Sequence, residues 1–235
     1  MNGDSGLMRR RSAGVIKGHE ALPARLAAVA SIDAERIIRV LEPYVTDRRR
    51  ERLHEVIGRR VGCVSVLFDA PHDPHNGAAV LRTCEAFGVQ HLHVVERRET
   101  FLSAASVSRG AEKWVDIHTY PTVAPALAAL EGTTLVAADA DGELIPSDLA
   151  EIPRLCVILG NERDGITGEL VAACTKRVRV PMRGFIDSLN VSVTAAILLS
   201  HAVEGRPGDL SDQEKRRLYA RGLYFSVQRA ADILG

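Results

Sequence analysis

Two short runs of this 235-residue chain, Val61–Leu67 and Leu155–Leu159, are almost wholly apolar, with no alternation of apolar and polar residues. Successive side chains of a strand point to opposite faces of a sheet, so a strand with one solvated face must alternate. A run that does not alternate fits a strand buried on both sides, as in a parallel sheet covered by helices. Further strand candidates lie at His91–Val95, Val115–Tyr120, Thr134–Ala138 and Arg177–Val180. Between them Asn76–Gly88, Thr122–Leu130, Thr167–Ala173 and Asn190 to about Glu204 read as helices. This alternation predicts an α/β fold: a mostly parallel sheet with helices on both faces.

The flanks divide the chain further. Residues 1–30 open with Gly, Ser and the run Arg9-Arg10-Arg11, and read as a mobile leader. Residues 31–60 read as a basic helical extension. In it Ile37, Ile38 and Leu41 mark one helix closing near Pro43, and Thr46 caps a second with Leu53, Val56 and Ile57 on one face. Residues 61–205 form the main α/β domain, and 206–235 a C-terminal helical extension.

Charge separates these parts. The whole chain is balanced, with 30 Lys and Arg against 30 Asp and Glu. Residues 1–60 nevertheless hold 13 basic against 8 acidic side chains, and residues 61–200 hold 11 against 17. A basic arm on a neutral chain suits an anionic partner, and solvated helix faces give the same count. No apolar run approaches the roughly 18–20 residues that span a membrane. The first residues lack the apolar stretch of a secretory signal, so no membrane partner and a cytoplasmic location are expected. The four cysteines form no CxxC pair and the eight histidines no HExxH, so reduced thiols and no metal are expected. Also missing are GxGxxG after the first strand, GxxxxGK[ST] and GxSxG, which argues against dinucleotide-binding, P-loop and α/β-hydrolase proteins.

Three segments carry polar chemistry, each at the end of a strand. Pro71 to Asn76 forms a loop running into a helix, with Asn76 as a plausible cap and Arg82 six residues on. A helix N-terminus offers unpaired N–H groups, and Arg82, leaning back toward it, suits a phosphate. Leu159-Gly160-Asn161-Glu162-Arg163-Asp164-Gly165 leaves the second apolar strand, its glycines permitting close backbone approach. Val180-Pro181-Met182 leads through Ser188-Leu189-Asn190 into a helix of small and aliphatic residues. Each segment alone also fits an ordinary turn or cap. In a parallel sheet all three can share one edge, which points to a single site there.

Asn76 with Arg82, Gly160-Asn161-Glu162 with Gly165, and Ser188-Leu189-Asn190-Val191-Ser192 resemble the three ordered motifs of the TrmH branch of the SPOUT RNA methyltransferases. The similarity runs from about Asp47 to Glu204 and includes Gly110-Ala111-Glu112-Lys113-Trp114-Val115. The resemblance implies a SPOUT-type sheet with a C-terminal trefoil knot, a homodimer, and S-adenosylmethionine (AdoMet) as methyl donor without a metal. It implies Arg82, Asn76, Glu162, Ser188 and Asn190 as catalytic residues. It implies cofactor contacts at Ala138, Leu159, Gly160, Asn161, Gly165, Val180, Pro181, Met182, Ser188 and Leu189, largely through backbone atoms. Ala138 stands where the family often has Thr, so only a backbone contact is possible there. Asp73 stands where Lys is frequent, which implies weaker local contact with RNA phosphate. The short basic flank resembles the enzymes that methylate the 2′-hydroxyl of the tRNA D-loop guanosine at position 18. Ribosomal RNA, including the target of resistance methyltransferases, and a non-catalytic RNA-binding role are the alternatives.

Overall fold

The computed structural model describes residues 22–96, 110–161 and 163–235. Among the described residues six strands form one sheet: β1 (Val61–Asp69), β2 (Val89–Val95), β3 (Asp116–Tyr120), β4 (Thr134–Ala138), β5 (Leu155–Leu159) and β6 (Lys176–Val178). Their order is β3-β2-β1-β5-β4-β6, and every pairing is parallel. The two apolar runs are thus the central neighbours β1 and β5, with Val64 opposite Leu155 and Phe68 opposite Leu159.

Their lack of alternation follows from burial on both sides. Val64, Val66 and Phe68 of β1, with Leu155, Val157 and Leu159 of β5, pack beneath helices α4 (Pro74–Ala86) and α7 (Val191–Ala202). Leu67, Cys156 and Ile158 face the opposite side, under α5 (Val123–Ala129) and α6 (Gly168–Ala173). Ala195, Leu198, Leu199 and Ala202 explain why α7 is made of small and aliphatic residues: each is fully buried in that first layer.

A second core joins the two ends of the chain. Helices α1 (Leu22–Ser31), α2 (Ala34–Leu41) and α3 (Asp47–Gly58) pack with α8 (Asp212–Ser226) and α9 (Ala230–Leu234) around Ile37, Leu41, Leu53, Leu223 and Tyr224. Residues 22–30, read as part of a mobile leader, instead belong to α1, whose Val29 is buried in this core. Residues 1–21 of that leader lie outside the described residues. Thr46 caps α3 as expected, its hydroxyl accepting from the Arg49 N–H. Asp209 ties the bundle to the sheet, accepting from the N–H groups of Gly62 and Cys63 at the start of β1. Arg221 does the same, pairing with Asp116 at the start of β3 at 2.6 Å.

All four cysteines are unpaired thiols, and burial pushes Cys84 and Cys156 up to about 12. Among the described residues, no helix is long and apolar enough to cross a membrane, and no group of three or more His, Cys, Asp or Glu is placed to hold a metal.

A row of histidines on β2 and β3 gives the fold a pH dependence. His93 stacks on His118 with ring centres 4.8 Å apart, and its Nδ1 lies 2.9 Å from the Tyr120 hydroxyl. Burial, helped by His118 and His91, pushes the His93 pKa down to about 3. Acidic neighbours are Glu214, 3.5 Å from His91, and Asp116, which is already engaged by Arg221. An unfolded histidine binds its proton near pH 6.5, so between about 6.5 and about 3 the unfolded state holds more protons. Stability therefore falls as pH is lowered through that window, by about 1.4 kcal/mol per pH unit for one such group. His93→Gln is expected to flatten the fall in melting temperature between pH 7 and pH 5. A slope equal to that of the wild type would assign the effect elsewhere.

Candidate active site

The parallel sheet brings the carboxyl ends of β1, β4, β5 and β6 to one edge. The chain leaves β1 toward β2 on one side and leaves β5 toward β6 on the other, so a crevice opens between these two central strands. Such a switch point is where open α/β sheets bind ligands.

On the β1 side, Ala70 takes a left-handed conformation (φ 48°) that turns the chain toward α4. The cap of α4 is Asp73, not Asn76: the Asp73 carboxylate accepts from the His75 N–H at 2.8 Å. Pro74 explains the difference, because proline is suited to the first helical position, where no N–H is needed. Asn76 is left inside the first turn, with its side chain turned across the crevice. The amide of Asn190 donates to the Asn76 side-chain oxygen at 3.0 Å. Asn190 itself caps α7, its own oxygen accepting from the Ser192 N–H at 2.9 Å. One amide thus fixes the start of α7 and holds the start of α4 beside it.

Arg82 lies six residues beyond Asn76, about 9 Å along the axis. It is exposed, and among the described residues it makes no ion pair or hydrogen bond. Helical side chains in general lean toward the helix N-terminus, the direction in which Asn76 lies.

The loop after β5 is a closed turn. Asn161 and Gly165 exchange backbone hydrogen bonds of 3.2 and 3.1 Å. The Asn161 side chain, buried, accepts from the N–H groups of Arg163 and Asp164. It shapes the loop from within, while Gly165 supplies the left-handed turn at φ 66°. Gly160 packs against Gly165 so closely that a Cβ there would meet the Gly165 carbonyl carbon at 2.3 Å. Glu162, between them, lies outside the described residues.

The third segment leaves β6 at Val178, two residues earlier than its pattern predicts. Residues 139–144 run beside this strand end: Asp139 N–H donates to Val178, and Arg179 N–H to Leu144. Gly142 lies so near that a Cβ would meet the Val178 carbonyl carbon at 2.6 Å. Beyond it Val180 is half-buried against the core, Pro181, Met182 and Ser188 are exposed, and Leu189 is half-buried. Ala138, at the end of β4, also packs against the core.

Asp69 escaped the sequence reading. It is fully buried at the last position of β1, and its carboxylate accepts from the Thr167 N–H at 2.8 Å, where the Gly160–Gly165 loop passes into α6. It thereby fastens the two sides of the crevice together. The available signal was an acidic residue closing an apolar strand. Asp69→Ala leaves the Thr167 amide without this acceptor and is expected to cost about 1–3 kcal/mol of stability, read as a lower denaturation midpoint. An unchanged midpoint would show that the bond carries nothing.

A switch-point crevice lined by a helix N-terminus, a glycine-closed turn and an exposed arginine defines a protein that binds an anionic or nucleotide-like ligand. Residues 63–200 match the SpoU rRNA Methylase family. The chain is 32% identical over 197 residues to the tRNA (guanosine(18)-2'-O)-methyltransferase of Escherichia coli K12, covering 78% of this chain and 85% of that protein. Its fold superposes on the A. aeolicus TrmH/SpoU tRNA modifying enzyme with a TM-score of 0.66 and 27% identity, over 78% of this chain and 98% of that one. The SpoU methyltransferase AviRb from Streptomyces viridochromogenes, solved with AdoMet, gives 0.56 and 25%, over 65% of this chain and 62% of that one. The chain belongs to the SpoU methylase family.

The crevice residues fit AdoMet. Half-buried Val180 and Leu189 offer aliphatic surface, while the Gly160–Gly165 turn and the exposed 181–188 segment offer backbone donors and acceptors. Such a set suits a flat adenine flanked by polar groups.

Proposed function

We propose that this protein transfers a methyl group from AdoMet to the ribose 2′-hydroxyl of guanosine 18 in the D-loop of tRNA. The observation that carries this reading is the Asn190–Asn76 hydrogen bond, which unites the first and third motifs beside the crevice that the second motif borders. The E. coli relative, aligned over most of both chains, supports tRNA as the substrate.

AdoMet supplies an activated methyl group whose leaving group is a neutral thioether. The chain's own task is then to position the hydroxyl and manage one proton. Arg82 is assigned to the 2′-oxygen. Because a guanidinium stays protonated, its physical role there is to stabilise the developing negative charge, with an RNA phosphate available to take the proton. Asn76 and Asn190 hold the mouth of α4 and α7, and Glu162 and Ser188 complete the site. Ala138, Leu159, Gly160, Asn161, Gly165, Val180, Pro181, Met182 and Leu189 form the cofactor walls, chiefly through backbone. The close passage of 139–144 against Val178 and Arg179 supports a threaded, trefoil-knotted C-terminal half. The exposed apolar Phe185, Ile186 and Val193 support a homodimer joined near this loop. Action on tRNA is in keeping with a cytoplasmic location.

The test is methyl transfer from labelled AdoMet to unmodified tRNA transcripts, with the product nucleotide mapped. 2′-O-methylguanosine at position 18 is expected. Transfer to ribosomal RNA alone would move the target, and failure to bind AdoMet would leave a non-catalytic RNA-binding protein.

A further inference from the structure

Behind Arg82 lies a cavity of about 600 Å³ between α4 and the turn preceding β3. Arg82 belongs to its lining, so the cavity adjoins the residue assigned above to the methylated hydroxyl. Trp114 and Phe87 supply aromatic walls, and Ala79, Ala86, Gly110 and Ala111 leave the space open. Glu85 supplies a carboxylate, and among the described residues it makes no hydrogen bond or ion pair. Glu85 also lies within electrostatic reach of buried Arg60, whose guanidinium is committed to Gln90 and to the Val89 carbonyl.

We propose that this cavity receives the base of the target nucleotide and that Glu85 selects guanine. The inference rests on the methyltransferase reading above and adds the residue that reads the base. A carboxylate only accepts hydrogen bonds. Guanine alone among the four RNA bases presents two adjacent donors on its pairing edge, the N1–H and the exocyclic amine. Adenine, cytosine and uracil each set one donor there beside an acceptor, which a carboxylate repels. Unstacked RNA bases are commonly read on that edge while stacked on an aromatic side chain, and Trp114 offers such a surface. Glu85 stands three residues after Arg82 on neighbouring positions of α4, about 4.5 Å further along the axis. Both side chains line the same cavity, so a nucleotide with its ribose at the guanidinium can lay its base toward the carboxylate.

The test compares tRNA transcripts carrying guanosine, inosine or adenosine at the methylated position, with wild type, Glu85→Ala and Glu85→Gln. Inosine lacks only the exocyclic amine. In the wild type it is expected to lower kcat/KM about 10- to 100-fold, the worth of one hydrogen bond to a charged acceptor. In Glu85→Ala the guanosine and inosine rates converge to within about twofold. Glu85→Gln, which both donates and accepts, gains on adenosine relative to guanosine. The chain has a single tryptophan, so its fluorescence reports the stack directly: quenching by the guanosine transcript is expected to vanish with a transcript abasic at that position. AdoMet binding and melting temperature confirm that each variant is folded. Folded variants with wild-type discrimination, or quenching that ignores the missing base, would overturn the proposal. A wild type that methylates none of the transcripts would overturn the reading on which it rests.

Discussion

Arg82→Ala lowers kcat about 100- to 10,000-fold while AdoMet still binds. The size is that of removing one group that meets charge developing in the transition state. Sparing of cofactor affinity is expected because Arg82 stands on α4 and not on the turn after β5 or the 180–190 segment, to which the cofactor is assigned. Single-turnover methylation and calorimetric AdoMet binding separate the two effects. Methylation near the wild-type rate would remove Arg82 from the chemistry. Equal loss of rate and of cofactor affinity would make it part of the cofactor site.

The second large effect belongs to Gly160→Ala. A Cβ at this position would sit 2.3 Å from the Gly165 carbonyl carbon, with Ile166 N at 2.5 Å. Both are backbone atoms, so no side chain can swing aside and the turn itself must move. Forcing such a shift costs about 1–3 kcal/mol or more. It displaces the groups assigned to the cofactor, so AdoMet affinity is expected to fall at least about tenfold, with kcat/KM following. Gly165→Ala is the informative contrast. Nothing lies within 4 Å of its Cβ, and its cost comes from the left-handed backbone (φ 66°) alone, about 1 kcal/mol. If both variants bind AdoMet as the wild type does, the turn after β5 is not a cofactor wall.

Much of this architecture was legible before any coordinates. The unbroken apolar runs betrayed β1 and β5 because burial on both faces removes the need for alternation. The helical periods of α3, α5 and α7 were legible for the complementary reason, each being buried along one stripe or throughout. Neighbourhood was less legible. No local pattern says that β1 lies beside β5, since their register partners are 91 residues apart. Nor does periodicity show that α2 packs on α8 in one core around Tyr224. The α1 segment, rich in alanine and short of large apolar residues, gave no strong stripe, yet Val29 is buried. At the site, the Asp-Pro pair at 73–74 was the better cap signal than Asn76. Asp69 went unread because the strand was ended at Leu67, two residues short of it. The Asn76–Asn190 contact joins positions 114 residues apart, and only the sheet's order brings them together.

That order also governs how the chain is made. A nascent polypeptide that has emerged as far as β4 already holds β1, β2 and β3. Its β4, however, pairs only with β5 and β6, so it has no place in the sheet yet. Until residue 159 is available, the Val64–Phe68 side of β1 is an open apolar edge, the kind that templates association with other chains. Closing the sheet is therefore a late, long-range event, and a product terminated before β5 would expose the apolar central strand β1 along one whole side.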